Sequence, residues 1–143
     1  MKKTRILTFA SGLILIALAI QFIPVTRDNP PAIADLAAPA EVKAILKSSC
    51  YDCHSNETVW PWYSRVAPVS WLVTSDTSEG RRKFNFSNWN TYPPEKRTAI
   101  LTHAVREIRR GDMPPWYYTI KHGEAKLTPE KKAVLEAWAS RPQ

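Results

Sequence analysis

Both cysteines of this chain fall in one five-residue string, Cys50-Tyr51-Asp52-Cys53-His54. That string limits the fold more than any other feature. A disulfide closing a long loop within the chain is excluded, so the two thiols are read together with the imidazole beside them. On a helical turn, residues three and four apart share a face, which sets Cys50 beside Cys53 and His54. Two thiols one turn apart can reach the two vinyl groups on one side of a porphyrin as thioethers, and the imidazole then falls under the iron. Cys-x-x-Cys-His is the attachment pattern of c-type haem; in that reading Tyr51 and Asp52 have only to keep the spacing. Three other chemistries use part of the string. A thioredoxin-like redox pair needs a strand–helix–strand context, which is not visible in the sequence. A zinc site would take a fourth ligand such as His103 or His122 and would strain adjacent Cys53 and His54 as co-ligands. A short-range disulfide beside an incidental histidine is the plainest alternative.

Lys2, Lys3 and Arg5 precede an apolar run from Ile6 to Ile23, broken only by Thr8, Ser11, Gly12 and Gln21. Basic residues followed by an apolar stretch describe an export signal. At about 1.5 Å per residue the run is also long enough to cross a bilayer core. Ala17-Leu18-Ala19 has the small-x-small form of a cleavage site, but Ile20, Phe22 and Ile23 continue the run past it. Residues 1–27 therefore read as a signal anchor, with a cleaved signal peptide as the alternative. The basic flank puts the N-terminus in the cytoplasm and the rest outside. That places the domain on the periplasmic face of a bacterial inner membrane, or in the periplasm if the signal is removed. Export agrees with the cysteine motif, because c-type attachment in bacteria takes place outside the cytoplasm. Residues 28–39, with Pro30, Pro31 and Pro39, read as a Pro-rich tether, and residues 40–143 as the haem-binding domain.

The remaining pattern is helical. Val42, Ile45 and Leu46 space a helix over 40–47, and a second is expected over 70–81. After Pro93-Pro94, Ile100, Ala104 and Ile108 form one stripe and Leu101 and Val105 another, ending at Gly111. Thr128 and Pro129 open a last helix as N-cap and first residue, with Val134, Leu135 and Trp138 on one face. No stretch has a period of two, so the expected class is all-α. Six Trp, five Tyr and four Phe suit packing around a large flat apolar ligand, as they suit a Trp-rich core. Of the net charge of +7, Lys2, Lys3, Arg5 and Arg27 account for four, leaving +3 for the rest. With no nucleic-acid motif beside it, that excess does not point to nucleic acid; it suits a mixed-charge surface, or steering of an acidic redox partner.

A second iron ligand is sought among methionines and histidines. Met1 is excluded by position, which leaves Met113, in Gly111-Asp112-Met113-Pro114-Pro115, where two prolines stiffen the loop. His122 is the reserve. His103, beside the apolar stripes of its helix, reads as a surface or boundary residue.

These strings together resemble the small membrane-anchored bacterial haem-binding domain proteins, relatives of class I c-type cytochromes. The resemblance spans roughly residues 20 to 140. It rests on Gln21-Phe22-Ile23-Pro24, the cysteine string continued by Ser55-Asn56, Trp60-Pro61-Trp62-Tyr63, Pro68-Val69-Ser70-Trp71 and Glu79-Gly80-Arg81. It continues through Asn85-Phe86-Ser87-Asn88-Trp89, the Met113 loop, Tyr118, His122, Ala125, Leu127 and Trp138. It implies a cytochrome-c-like helical domain around one covalent haem c, linked to Cys50 and Cys53, with His54 proximal and Met113 distal. By the same resemblance the Pro68 carbonyl would orient the His54 ring, and Trp62, Tyr63 and Trp71 would line or edge the pocket. Family members often carry a histidine near Ser75-Asp76, and this chain does not. The expected function is a single-haem electron carrier serving a redox partner protein. The alternatives are a peroxidase-like haem enzyme, with His122 as acid–base group, and a haem-based sensor in which a small ligand displaces Met113.

Overall fold

The structure is a computed structural model that describes residues 2–141; Met1 and the last two residues lie outside them. The helices are α1 (Lys2–Ala19), α2 (Ala40–Ser49), α3 (Tyr51–His54), α4 (Val69–Lys83), α5 (Pro94–Arg110), α6 (Trp116–Lys121) and α7 (Pro129–Ala139). Among the described residues there is no strand, so the all-α class stands. The chain divides into two units, Met1–Asp28 with Trp60–Asp76, and Asn29–Val59 with Thr77–Gln143.

In the first unit α1 runs on into a 3-10 turn, Ile20–Phe22. Lys2–Phe22 has 21 residues and mean hydropathy 1.9, and none of its apolar window is buried. It is long and apolar enough to cross a membrane, and it lacks the protein cover that a core helix of that composition would have. The rest of the unit is a 3-10 turn, Trp62–Arg65, and the first part of α4.

The second unit holds the hydrophobic core. Val42, Ile45 and Leu46 are buried on α2, Leu101 and Ile108 on α5, and Leu135 and Trp138 on α7; these are the residues whose spacing marks the helices in the sequence. Tyr51, Phe86 and Trp89 complete the cluster. α7 packs on both α2 and α5. The ends are chemically set. Pro94 begins α5, and Gly111, at φ 81°, ends it in the left-handed conformation that costs glycine nothing. The Thr128 side chain accepts the Lys131 N–H at 3.4 Å, with Pro129 at the first position of α7.

Two features depart from the sequence reading. α6 is too short to show a period, lying between Pro115 and Gly123. From Asn29 onward the Pro-rich segment is packed into the second unit and does not hang free. Ile33 and Ala34 donate their N–H groups to the Ser87 carbonyl at 3.1 and 2.9 Å, and Leu36 donates to Phe86 at 3.0 Å. Leu36 is buried in the core. Prolines set the extended backbone, but its partner, the 3-10 turn Phe86–Thr91, lies some fifty residues away and leaves no local signal.

Leu135→Ala is expected to lower the unfolding free energy by about 3 kcal/mol through the cavity it leaves between α7 and its neighbours. Urea titration followed by circular dichroism checks this, with native helix content unchanged in the absence of urea.

Candidate functional site

α2 closes at Cys50, whose N–H donates to the Leu46 carbonyl at 2.8 Å. Its φ of −131° breaks the helix there, and a fresh turn starts. The N–H groups of Cys53 and His54 both donate to the Cys50 carbonyl, at 3.2 and 2.9 Å. The motif is therefore one helical turn, as its spacing requires. Neither cysteine is in a disulfide. Burial, followed by the neighbouring Cys53, pushes the Cys50 thiol up to about 12. Such a group stays protonated, whereas a redox-active Cys-x-x-Cys pair depends on a depressed thiol pKa.

Tyr51 and Asp52 do more than keep the spacing. The Tyr51 ring stacks on Phe86, centroids 5.1 Å apart at 9°, and its hydroxyl donates to Asp35 at 3.0 Å. Asp52 accepts the Val59 N–H at 2.9 Å through one oxygen and the Tyr118 hydroxyl at 2.7 Å through the other. The turn is thereby fastened to the core on one side and to α6 on the other.

The His54 ring is buried and stacks on Phe84, centroids 4.1 Å apart at 10°. Its Nδ1 lies 3.0 Å from the Gly80 carbonyl and 3.4 Å from that of Phe84. A carbonyl only accepts, so Nδ1 carries the proton and Nε2 keeps the lone pair. Burial pushes the imidazole down to about 4, against the two carbonyl bonds, which act the other way. At neutral pH the ring is uncharged, the form that binds a metal. The orienting role given to Pro68 on the sequence falls to Gly80 and Phe84. The Pro68 carbonyl instead accepts the Trp71 N–H at 3.0 Å in the first turn of α4.

Gly80 has a second duty. A Cβ placed there would stand 2.3 Å from the Cys53 carbonyl oxygen, so α4 can meet the motif at this distance only at a residue without a side chain. Arg81, next along, donates from Nε to the Ser55 carbonyl at 2.7 Å and from the guanidinium to Thr58 Oγ1 and Asn29 Oδ1 at 2.8 and 2.9 Å. Asn85 Nδ2 donates to Asn56 Oδ1 at 2.7 Å, and the Asn56 N–H donates to Ser87 Oγ at 2.9 Å. The strings Ser55-Asn56, Gly80-Arg81 and Asn85-Phe86-Ser87 thus converge on the residues that follow the motif. A glycine inside a helix is the one signal in the sequence that could have flagged this contact.

Met113 is half-buried between α5 and α6. Its N–H and that of Asp112 share the Glu107 carbonyl, at 3.4 and 3.0 Å. His122 stacks on Tyr118, centroids 4.3 Å apart at 13°, and its Nδ1 lies 3.2 Å from Glu124 Oε1. Tyr118, which reaches Asp52, therefore links His122 to the motif. His103 is exposed beside Glu107, in keeping with a surface position. Trp62, Tyr63, Pro68 and Trp71 belong to the first unit. There Trp62 is 75% exposed and meets Tyr63 edge-on, and the buried Trp71 indole N–H has no hydrogen-bond partner among the described residues.

Gly80→Ala is expected to cost about 2 kcal/mol of stability, because backbone has to shift to admit the methyl group. Gly123→Ala, where a Cβ meets nothing within 4 Å, should stay within about 0.5 kcal/mol of wild type. Urea unfolding of the two variants side by side checks the contrast.

Among known proteins, a family model described as a haem-binding domain matches residues 15–141. No curated protein and no solved structure matches the chain.

Proposed function

The chain belongs to the family of haem-binding domains, and on that premise we propose that it is a single-haem, c-type cytochrome-like electron carrier tethered outside the cytoplasmic membrane. The observation that carries this reading is the state of His54: buried, neutral, with Nδ1 held by the Gly80 carbonyl and Nε2 left as the ligating atom. A carbonyl on the far ring nitrogen fixes the tautomer and raises the basicity of the ligating one.

The thiols fit covalent attachment. They are not joined in a disulfide and stand one helical turn apart. Each would add across one vinyl group, so an S–C and a C–H bond form as the S–H bond and the vinyl π bond break. The addition consumes no oxidant. Bound haem supplies one-electron chemistry between ferric and ferrous iron. His54 and Met113 would hold the iron, a pairing that would raise the reduction potential. Tyr118, holding Asp52, fastens the helix into which the Met113 loop leads. A carrier needs no acid–base group; its haem edge has only to approach a redox partner protein. Tethering rests on the uncovered apolar helix and its basic flank, which orients the domain toward the periplasm.

Optical spectra and potentiometry of the full chain, matured with haem, test this reading. Wild type should be six-coordinate in both oxidation states. Met113→Ala should lose that signature and fall in potential, whereas His122→Ala should leave both unchanged. A Met113→Ala spectrum identical to wild type would remove Met113 as ligand. A five-coordinate ferrous wild type with rapid turnover of peroxide or capture of carbon monoxide would replace the carrier with an enzyme or a sensor.

A further inference from the structure

The first unit presents an exposed apolar surface. Trp62 is 75% exposed, Val66 43%, Val69 43% and Leu72 47%. Val69 and Leu72 are three apart on α4 and share its face, and Trp62 and Val66 are exposed just before that helix begins. Phe22 and Ile23, at the end of the apolar N-terminal helix, are also exposed.

That surface is fastened to the end of the apolar helix. Gln21 donates from Nε2 to the Ala67 carbonyl at 3.1 Å, and its Oε1 accepts the Ala67 N–H at 2.9 Å. Six residues on, Arg27 donates to the Ser64 carbonyl at 3.0 Å. The apolar run from residue 6 to residue 23 spans about 27 Å as helix, close to the thickness of a hydrocarbon core. Gln21 then sits at the boundary, and the segment it grips sits there with it.

The segment is built for such a place. From Trp60 to Ser75 there is no acidic residue, and its single charge is Arg65, which is exposed. Several of its backbone polar groups are bonded within the chain. Ser64 N–H and Oγ both donate to the Pro61 carbonyl, Val66 N–H to Tyr63, Ser70 N–H to Val66 and Trp71 N–H to Pro68, while Gln21 serves both groups of Ala67. Irregular backbone next to hydrocarbon is tolerated only when satisfied in this way. A tryptophan and a tyrosine at that level match the aromatic belt of membrane proteins, and an exposed arginine beside them can reach the headgroups.

We propose that Trp62, Val66, Val69 and Leu72 insert into the outer leaflet of the bilayer that α1 crosses, held at that depth by the Gln21–Ala67 clamp, so that the protein lies against the membrane surface through two connected elements. The proposal rests on the membrane-spanning reading of α1.

The test uses the full-length, haem-loaded chain in nanodiscs of phosphatidylethanolamine and phosphatidylglycerol. The photoreactive residue p-benzoylphenylalanine replaces Trp62, Leu72 or, in the span, Leu13, and adducts formed on illumination are weighed by mass spectrometry. Phospholipid adducts are expected at all three positions. Adding Gln21→Leu should cut the Trp62 adduct several-fold and leave that of Leu13 unchanged. Lipid adducts at Leu13 with none at Trp62 and Leu72 would overturn the proposal and leave the span intact. Chain-to-chain crosslinks at Trp62 would overturn it in favour of a dimer contact. No lipid adduct at any position would remove the span and the proposal with it.

Discussion

The Gly80 carbonyl holds His54 Nδ1 at 3.0 Å, and the bare Cα of the same residue lets α4 reach the Cys53 backbone. One contact thus sets the tautomer of the imidazole, the rotation of its ring and the distance between two helices. A side chain at this position would push α4 away and release the ring. The Phe84 ring, stacked on the imidazole, comes from the residue just beyond the end of α4 and depends on the same approach.

Around this contact the chain is largely irregular, and side chains bonding to backbone replace the ladders of regular structure. Arg81 ties Ser55, Thr58 and Asn29 together. Asn85 and Ser87 hold Asn56 from the opposite side. The Ser87 carbonyl accepts from Ile33 and Ala34. Several of these groups are fully buried, Ser55 and Ser87 among them. A buried polar group left unpaired costs about 1–3 kcal/mol, so such a network favours one arrangement strongly over any partly formed alternative.

Much of this was legible in the sequence where the signal was local. The spacing of Val42, Ile45 and Leu46, the Pro94 start and Gly111 stop of α5, and the Thr128-Pro129 opening of α7 all act within a turn or two of the residues that carry them. The helical turn of the cysteine motif was equally plain. What escaped was long-range. Nothing near residue 51 announces that Tyr51 reaches Asp35, or that Asp52 waits for Tyr118. The Pro-rich stretch looked like a tether because its hydrogen-bond partner lies in the 86–91 turn. The resemblance names Pro68 for the orienting carbonyl, whereas the carbonyls against His54 Nδ1 are those of Gly80 and Phe84, supplied by a helix end with no local mark of it.

Burial also separates the chemistries that a Cys-x-x-Cys-His string allows. The protonated Cys50 thiol does not suit thiol–disulfide exchange, and the uncharged, carbonyl-held His54 is in the form that binds a metal. The decisive measurement is mass spectrometry of the haem-matured chain after denaturation and proteolysis. One haem should be retained on the peptide that contains residues 50–54, with neither thiol open to alkylation. Haem released by denaturation, with Cys50 and Cys53 both alkylated, would contradict covalent attachment.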